Sequence, residues 1–171
     1  REGAAAHGGG EEDSRMVDYQ EIFSELKTWE ERFAEDLWQI AIAIRDQAVR
    51  LNQKGYAGAA HLPEVSRNDD DGNGVAFWWD NPLPAGGPDF IWVEVHLACG
   101  KLHGAEDGYN IVVKACAPDR EIYSLIPNNF TQECWKTGWG DLEEVVVGLI
   151  ANADTIVHGI LREATLWERR K

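Results

Sequence analysis

Apolar residues recur every three or four positions over about thirty residues near the start of the chain, from Ile22 to Leu51. This spacing is typical of the buried face of an amphipathic helix. A capping box over Asp18–Glu21 predicts where the helix begins, and Gly55 predicts where it ends. A second capping box over Thr28–Glu31 leaves open whether the helix is continuous.

Runs rich in aromatic and β-branched residues follow this helix, and each is typical of a strand. There are four of them: Val75–Asp80, Phe90–Cys99, Tyr109–Cys116 and Glu121–Ile126. Consecutive strands with short links predict an antiparallel meander. The second run alternates most clearly, because its odd-numbered positions are all apolar.

Helical spacing returns at Asp141, where a third capping box precedes apolar positions that continue to Trp167. We therefore predict a second long helix at this end of the chain. Two amphipathic helices flanking a meander pack most simply against one of its faces. The predicted fold class is α+β, with a long N-terminal helix, an antiparallel meander of about four strands and a long C-terminal helix, both helices on one sheet face.

The 171 residues suit one packed domain, which we place at residues 17–171 behind a flexible acidic tail at 1–16. The formal net charge is −14, and Glu30, Glu31 and Glu35 contribute to it on the predicted outer surface of the first helix. Such charge disfavours direct binding to nucleic acid or anionic lipid and favours a basic protein partner. With no apolar run of membrane-spanning length and three cysteines without close pairs, we expect a cytoplasmic protein that has no membrane partner.

The second strand run predicts a candidate binding surface. If both helices cover its odd-numbered face, the even-numbered face is open. Exposed apolar patches on monomers commonly mark interaction sites, although the Pro82–Pro88 loop or the tail is an alternative cover. The predicted binding residues on this face are Phe90, Trp92, Glu94 and His96. Trp135 and Trp139, in the predicted loop Pro127–Gly140, are added to them.

Two functions fit this surface. The leading hypothesis is a non-enzymatic protein-interaction module, acting as a homodimer or on a basic partner. The alternative is a small-molecule-binding protein or enzyme with a cleft lined by Trp, Glu and His. Glu94 and His96 lie two residues apart on one strand face, so the carboxylate can orient the imidazole as a general base. A plain ion pair is the competing interpretation of the same two residues.

A third hypothesis, a calcium-dependent binder, comes from an acidic turn. Asp69, Asp71, Asn73 and Asp80 occupy positions 1, 3, 5 and 12 of a run that resembles an EF-hand calcium loop. Position 12 is Asp where that loop has Glu, and the flanks are not helical: Pro63 precedes the acidic residues and the strand-like run Val75–Trp79 follows them. The same Asp-Gly-Asn-Gly run is typical of a tight hairpin turn. A zinc site at His96, Cys99, His103 and Cys116 is disfavoured, because His96 and Cys99 are three residues apart on one strand and point to opposite faces. We therefore expect no cofactor other than calcium.

Overall fold

The computed structural model describes residues 18–55, 58–68, 72–83, 86–103, 108–126 and 138–167. The predicted tail and the loop carrying Trp135 lie outside these residues. The elements in chain order are α1 (Tyr19–Gln53), β1 (Ala59–Ala60), β2 (Glu64–Asn68), β3 (Gly72–Asp80), β4 (Phe90–Cys99), a short 3-10 helix (Gly100–His103), β5 (Tyr109–Cys116), β6 (Glu121–Leu125), α2 (Trp139–Ala151) and α3 (Ala153–Leu166).

The first helix runs unbroken over 35 residues. The Asp18 carboxylate accepts hydrogen bonds from two backbone N–H groups of the first turn, at 3.0 and 3.2 Å, so the predicted start is confirmed. No break occurs at Thr28, whose hydroxyl donates to the Ser24 carbonyl at 3.1 Å within the helix. The chain leaves the helix through Gly55, where φ is +105° and glycine is the favoured residue.

The buried stripe of α1 contains one acidic residue among its apolar ones. Glu30 is 5% exposed and lies one turn from Leu26 and Phe33, whereas Glu31 and Glu35 are exposed. The prediction that Glu30 belongs to the outer acidic surface is therefore wrong. The helical period places it beside the core, on the same face as its neighbours three and four residues away.

The sheet is antiparallel, with strand order β1-β3-β4-β5-β6, and β2 also pairs with β3. All four predicted strands are present. The sequence did not predict β1, which has two residues, or β2, whose sequence EVSRN lacks apolar alternation. Asn68 at the end of β2 pairs with Gly72 at the start of β3, and residues 69–71 between them lie outside the described residues.

The helices α1, α2 and α3 pack against one face of this sheet, and the α+β prediction is confirmed. The shared core contains the odd-numbered residues of β4 and their neighbours on β3 and β5. The first helix lies against β3 and β4, while α2 and α3 contact β5, β6 and α1. The even-numbered face of β4 is turned away from the helices, but it is open only at Phe90 and Trp92. Glu94, His96 and Ala98 on the same face are buried, and Ala98 forms a second hydrophobic cluster with Val112 and Ile126, so the prediction that this whole face is open is wrong.

The C-terminal helical region is two helices and not the predicted single one. Asn152 leaves helical geometry at φ −103° and ψ 15°, and its side-chain amide donates to the Gly148 carbonyl at 2.7 Å. An asparagine that bonds to the backbone in this way competes with helix continuation. The first of the two helices begins at Trp139, ahead of the predicted capping residue Asp141.

No single described helix is long and apolar enough to cross a membrane. The helices α2 and α3 meet that test only as a pair, and the pair is bent by 67°.

Candidate binding surface on the open sheet face

The face of the sheet opposite the helices carries three packed aromatic side chains. Trp78 on β3 is the direct cross-strand partner of Trp92 on β4, and their ring centroids lie 4.6 Å apart with planes at 72°. The Phe90 ring lies 4.6 Å from Trp78 at 59°. We call these three residues the aromatic patch. The prediction that Phe90 and Trp92 lie on the open face is confirmed.

Trp78 is the most exposed member of the patch, at 41%, although its neighbour Trp79 is fully buried. Successive strand residues point to opposite faces, so Trp79 enters the core beneath α1 while Trp78 faces outward. The sequence analysis did not include Trp78 among the binding residues. The signal was available in the run Val75–Asp80, where a large residue stands at the position that faces away from the core.

A groove of about 300 Å³ runs beside the patch, toward the edge formed by β1 and β2. The segment that joins these two strands closes one side, and it is fixed where the His61 N–H donates to the Trp78 carbonyl at 3.0 Å. Ala76 also borders the groove, although it is itself fully buried. The remaining lining residues are His61, Leu62, Glu64, Phe77, Trp78, Asp80 and Trp92.

Asp80 lines the groove and contacts His61. Its Oδ2 lies 2.6 Å from His61 Nε2, and both side chains are about half exposed. Asp80 is also the last residue of β3, so the extended strand places it about 23 Å from Asn73. It therefore does not converge with the acidic turn, and its assignment as the fourth calcium ligand is wrong. Calcium binding by the other three predicted ligands stays a prediction, since Asp69, Asp71 and the Asn73 side chain lie outside the described residues.

Glu94 and His96 lie on the same face, as predicted, but they are buried at 5% and 2% exposure. The His96 Nδ1 is 3.6 Å from Glu94 Oε1, and the Trp92 indole N–H donates to Glu94 Oε2 at 3.4 Å. Neither side chain lines the groove. In this arrangement Glu94 orients the Trp92 ring, and a residue so deeply buried does not reach a molecule bound at the surface.

Gly74 makes room for this buried pair. It stands opposite His96 in the β3–β4 register, and a Cβ added to it would lie 2.9 Å from His96 Cβ and 3.3 Å from Glu94 Oε1. Those separations are too short for an undisturbed side chain. The glycine therefore allows the carboxylate and the imidazole to pack flat against β3.

On the neighbouring strand β5, Lys114 is the cross-strand partner of Glu94, and Cys116 is the cross-strand partner of Trp92. Burial raises the pKa of the Cys116 thiol, and the nearby Lys114 ammonium offsets only part of that rise. The thiol therefore stays protonated at neutral pH, where a reactive cysteine would be a thiolate.

The predicted contribution of Trp139 to the open face is wrong. Trp139 begins α2 on the helix side of the sheet, where its ring centroid lies 4.0 Å from that of Phe33 and 6.1 Å from that of Trp29. Its indole N–H donates to Glu143 within the same helix. The ring fastens α2 to α1 and so belongs to the core. Trp135 lies outside the described residues.

Within the described ranges, no three His, Cys, Asp or Glu side chains are grouped so that they could hold a metal ion. Comparison with protein-family models, curated proteins and solved structures finds no match to this chain. Function is therefore inferred from the residues of the open face alone.

Proposed function

We propose that this chain is a non-catalytic binding module that recognises a basic protein through its open sheet face. The observation that carries the proposal is the exposure of Trp78 within the aromatic patch. Leu62, 65% exposed, extends this apolar surface along the groove. Large aromatic side chains with a fixed orientation are typical of the centres of protein interfaces, because they bury much area at low entropic cost.

Charge supports a basic partner over a second copy of the chain. Glu64 and Asp80 border the groove, and the chain as a whole carries a net charge of −14. Two copies meeting through this face would bring like charges together, whereas a cationic protein is attracted and steered toward it. A homodimer is therefore the competing outcome of the experiments below.

A small-molecule or enzymatic role has less support. A volume of about 300 Å³ is at the lower end for ligand pockets, and the groove is open along its length. The Glu94–His96 pair that suggested general-base chemistry is buried away from it. The groove suits part of a larger partner better than an enclosed substrate.

We also propose a reducing compartment such as the cytoplasm. Cys99 and Cys116 are free thiols, and the first faces the helices while the second faces the open side of the sheet. Two cysteines on opposite faces cannot pair with each other without rebuilding the sheet.

The proposal is tested by selecting peptides that bind the chain from a random library and measuring their affinities by calorimetry. We expect the selected peptides to be basic, with an affinity that falls as salt concentration rises. Trp78→Ala is expected to weaken binding at least tenfold, because removing a central interface tryptophan typically costs about 2 kcal/mol or more. Val147→Ala is the matched control, since Val147 is 68% exposed on α2.

Two results would reject a basic partner at this face. One is the selection of peptides that bind the Trp78→Ala variant as tightly as the original chain. The other is a dimer by light scattering that Trp78→Ala converts to a monomer, because the surface would then be occupied by a second copy.

A further inference from the structure

We infer that the groove receives an arginine side chain of the partner, stacked on the Trp78 indole and paired with the Glu64 carboxylate. This inference rests on the proposed function and specifies the chemistry of its central contact. Trp78 and Glu64 both line this groove.

The register of the sheet makes Glu64 and Trp78 neighbours on one face. Glu64 is the cross-strand partner of Ala76, so Trp78, two residues further along β3, is its diagonal neighbour on the same face. Diagonal neighbours in an antiparallel pair are about 7–8 Å apart. Aromatic and long side chains reach across that separation, so one guanidinium can contact the indole at about 3.5–4 Å and donate to the carboxylate at about 2.8 Å.

The ring itself is held in position before any partner arrives. Trp92 and Phe90 each contact Trp78 with centroids 4.6 Å away, and the Trp92 indole is in turn hydrogen-bonded to Glu94. A cation placed over an indole is attracted by its negative face. Because the ring does not need to be ordered on binding, less of that attraction is lost to side-chain entropy.

Glu64 is the better carboxylate for this role. Asp80, the other acidic residue of the groove, already contacts His61 at 2.6 Å, whereas Glu64 is exposed at the rim of β2. An ion pair alone would suit lysine as well as arginine. The flat guanidinium is favoured because it stacks on an aromatic ring and pairs with a carboxylate at the same time.

The test uses three small probes: the N-acetyl N-methylamides of arginine, citrulline and lysine. Citrulline keeps the shape and planarity of arginine and lacks its charge. Binding is followed at constant ionic strength through the indole N–H resonances of the ¹⁵N-labelled chain, with Trp78 and Trp92 assigned from single Trp→Phe variants. We expect saturable shifts of these two signals with the arginine probe, an affinity about fivefold weaker or worse with citrulline, and an intermediate affinity with lysine.

A pair of glutamate variants makes the test specific. Glu64→Gln is expected to weaken arginine binding about threefold to tenfold, while Glu121→Gln, an exposed glutamate on the opposite edge strand, leaves it unchanged. Equal affinities for arginine and citrulline, no saturable shift with arginine, or an unchanged affinity in Glu64→Gln would overturn the inference. If selected peptides still bind through Trp78 in that case, the proposed function stands and only the arginine contact is wrong.

Discussion

Trp78 and Trp79 are adjacent in the chain, yet the first is 41% exposed on the open sheet face and the second is fully buried beneath α1. The alternation of side chains along β3 separates them. One of the two tryptophans is therefore free to serve a partner, and the other holds the fold together.

This separation predicts unequal effects of the same substitution. Trp79→Ala leaves a large cavity in the core and should lower the free energy of unfolding by about 3–5 kcal/mol. Trp78→Ala removes ring contacts with Phe90 and Trp92 and should lower it by about 1 kcal/mol. Urea denaturation followed by circular dichroism measures both, and equal losses would contradict the assigned faces.

A second prediction concerns the glycine opposite His96. Gly74→Ala places a Cβ 2.9 Å from both His96 Cβ and the Val95 carbonyl oxygen, so the buried pair or the strand must shift. We expect the free energy of unfolding to fall by about 1–3 kcal/mol. The matched variant is Gly148→Ala in α2, where nothing lies within 4 Å and alanine is the better helix former. It should gain about 0.5–1 kcal/mol in the same denaturation assay. A neutral Gly74→Ala would show that Glu94 and His96 are not packed as described.

A third prediction distinguishes two neighbouring glutamates of α1. Glu30→Lys puts a cation into the buried stripe beside Phe33 and should destabilise the chain by roughly 2–4 kcal/mol. Glu31→Lys changes the same charge at an exposed position and should stay within about 0.5 kcal/mol. Thermal unfolding of the two variants at one pH is sufficient, and a stable Glu30→Lys chain would place Glu30 on the surface after all.

Long, regular patterns in the sequence predicted the fold well. The helical spacing of α1 and the alternation along Phe90–Cys99 each extend over enough residues to identify one buried face. The break at Asn152 was missed because the apolar spacing continues through it on both sides. At that break the Asn152 side chain donates a hydrogen bond to the Gly148 carbonyl, and the spacing of apolar residues does not predict such a bond.

The candidate site was only partly predictable for a related reason. The open face of β4 followed from its own alternation, so Phe90 and Trp92 were found. The alternation along β3 indicated that Trp78 faces outward, but its position beside Trp92 depends on the register between β3 and β4, which a single sequence does not reveal. Trp139 was misplaced because its contact with Phe33 depends on how α2 packs against α1.

The central claim is that a basic partner binds at the aromatic patch and not at the acidic outer surface of α1. The most direct measurement is a map of backbone amide shifts in the ¹⁵N-labelled chain on addition of a selected basic peptide. We expect the shifts to concentrate in residues 61–64, 76–80 and 90–92, which line the groove and the patch. Shifts centred on Glu31 and Glu35, with those strand residues unchanged, would contradict the claim and assign recognition to the charge of the helix alone.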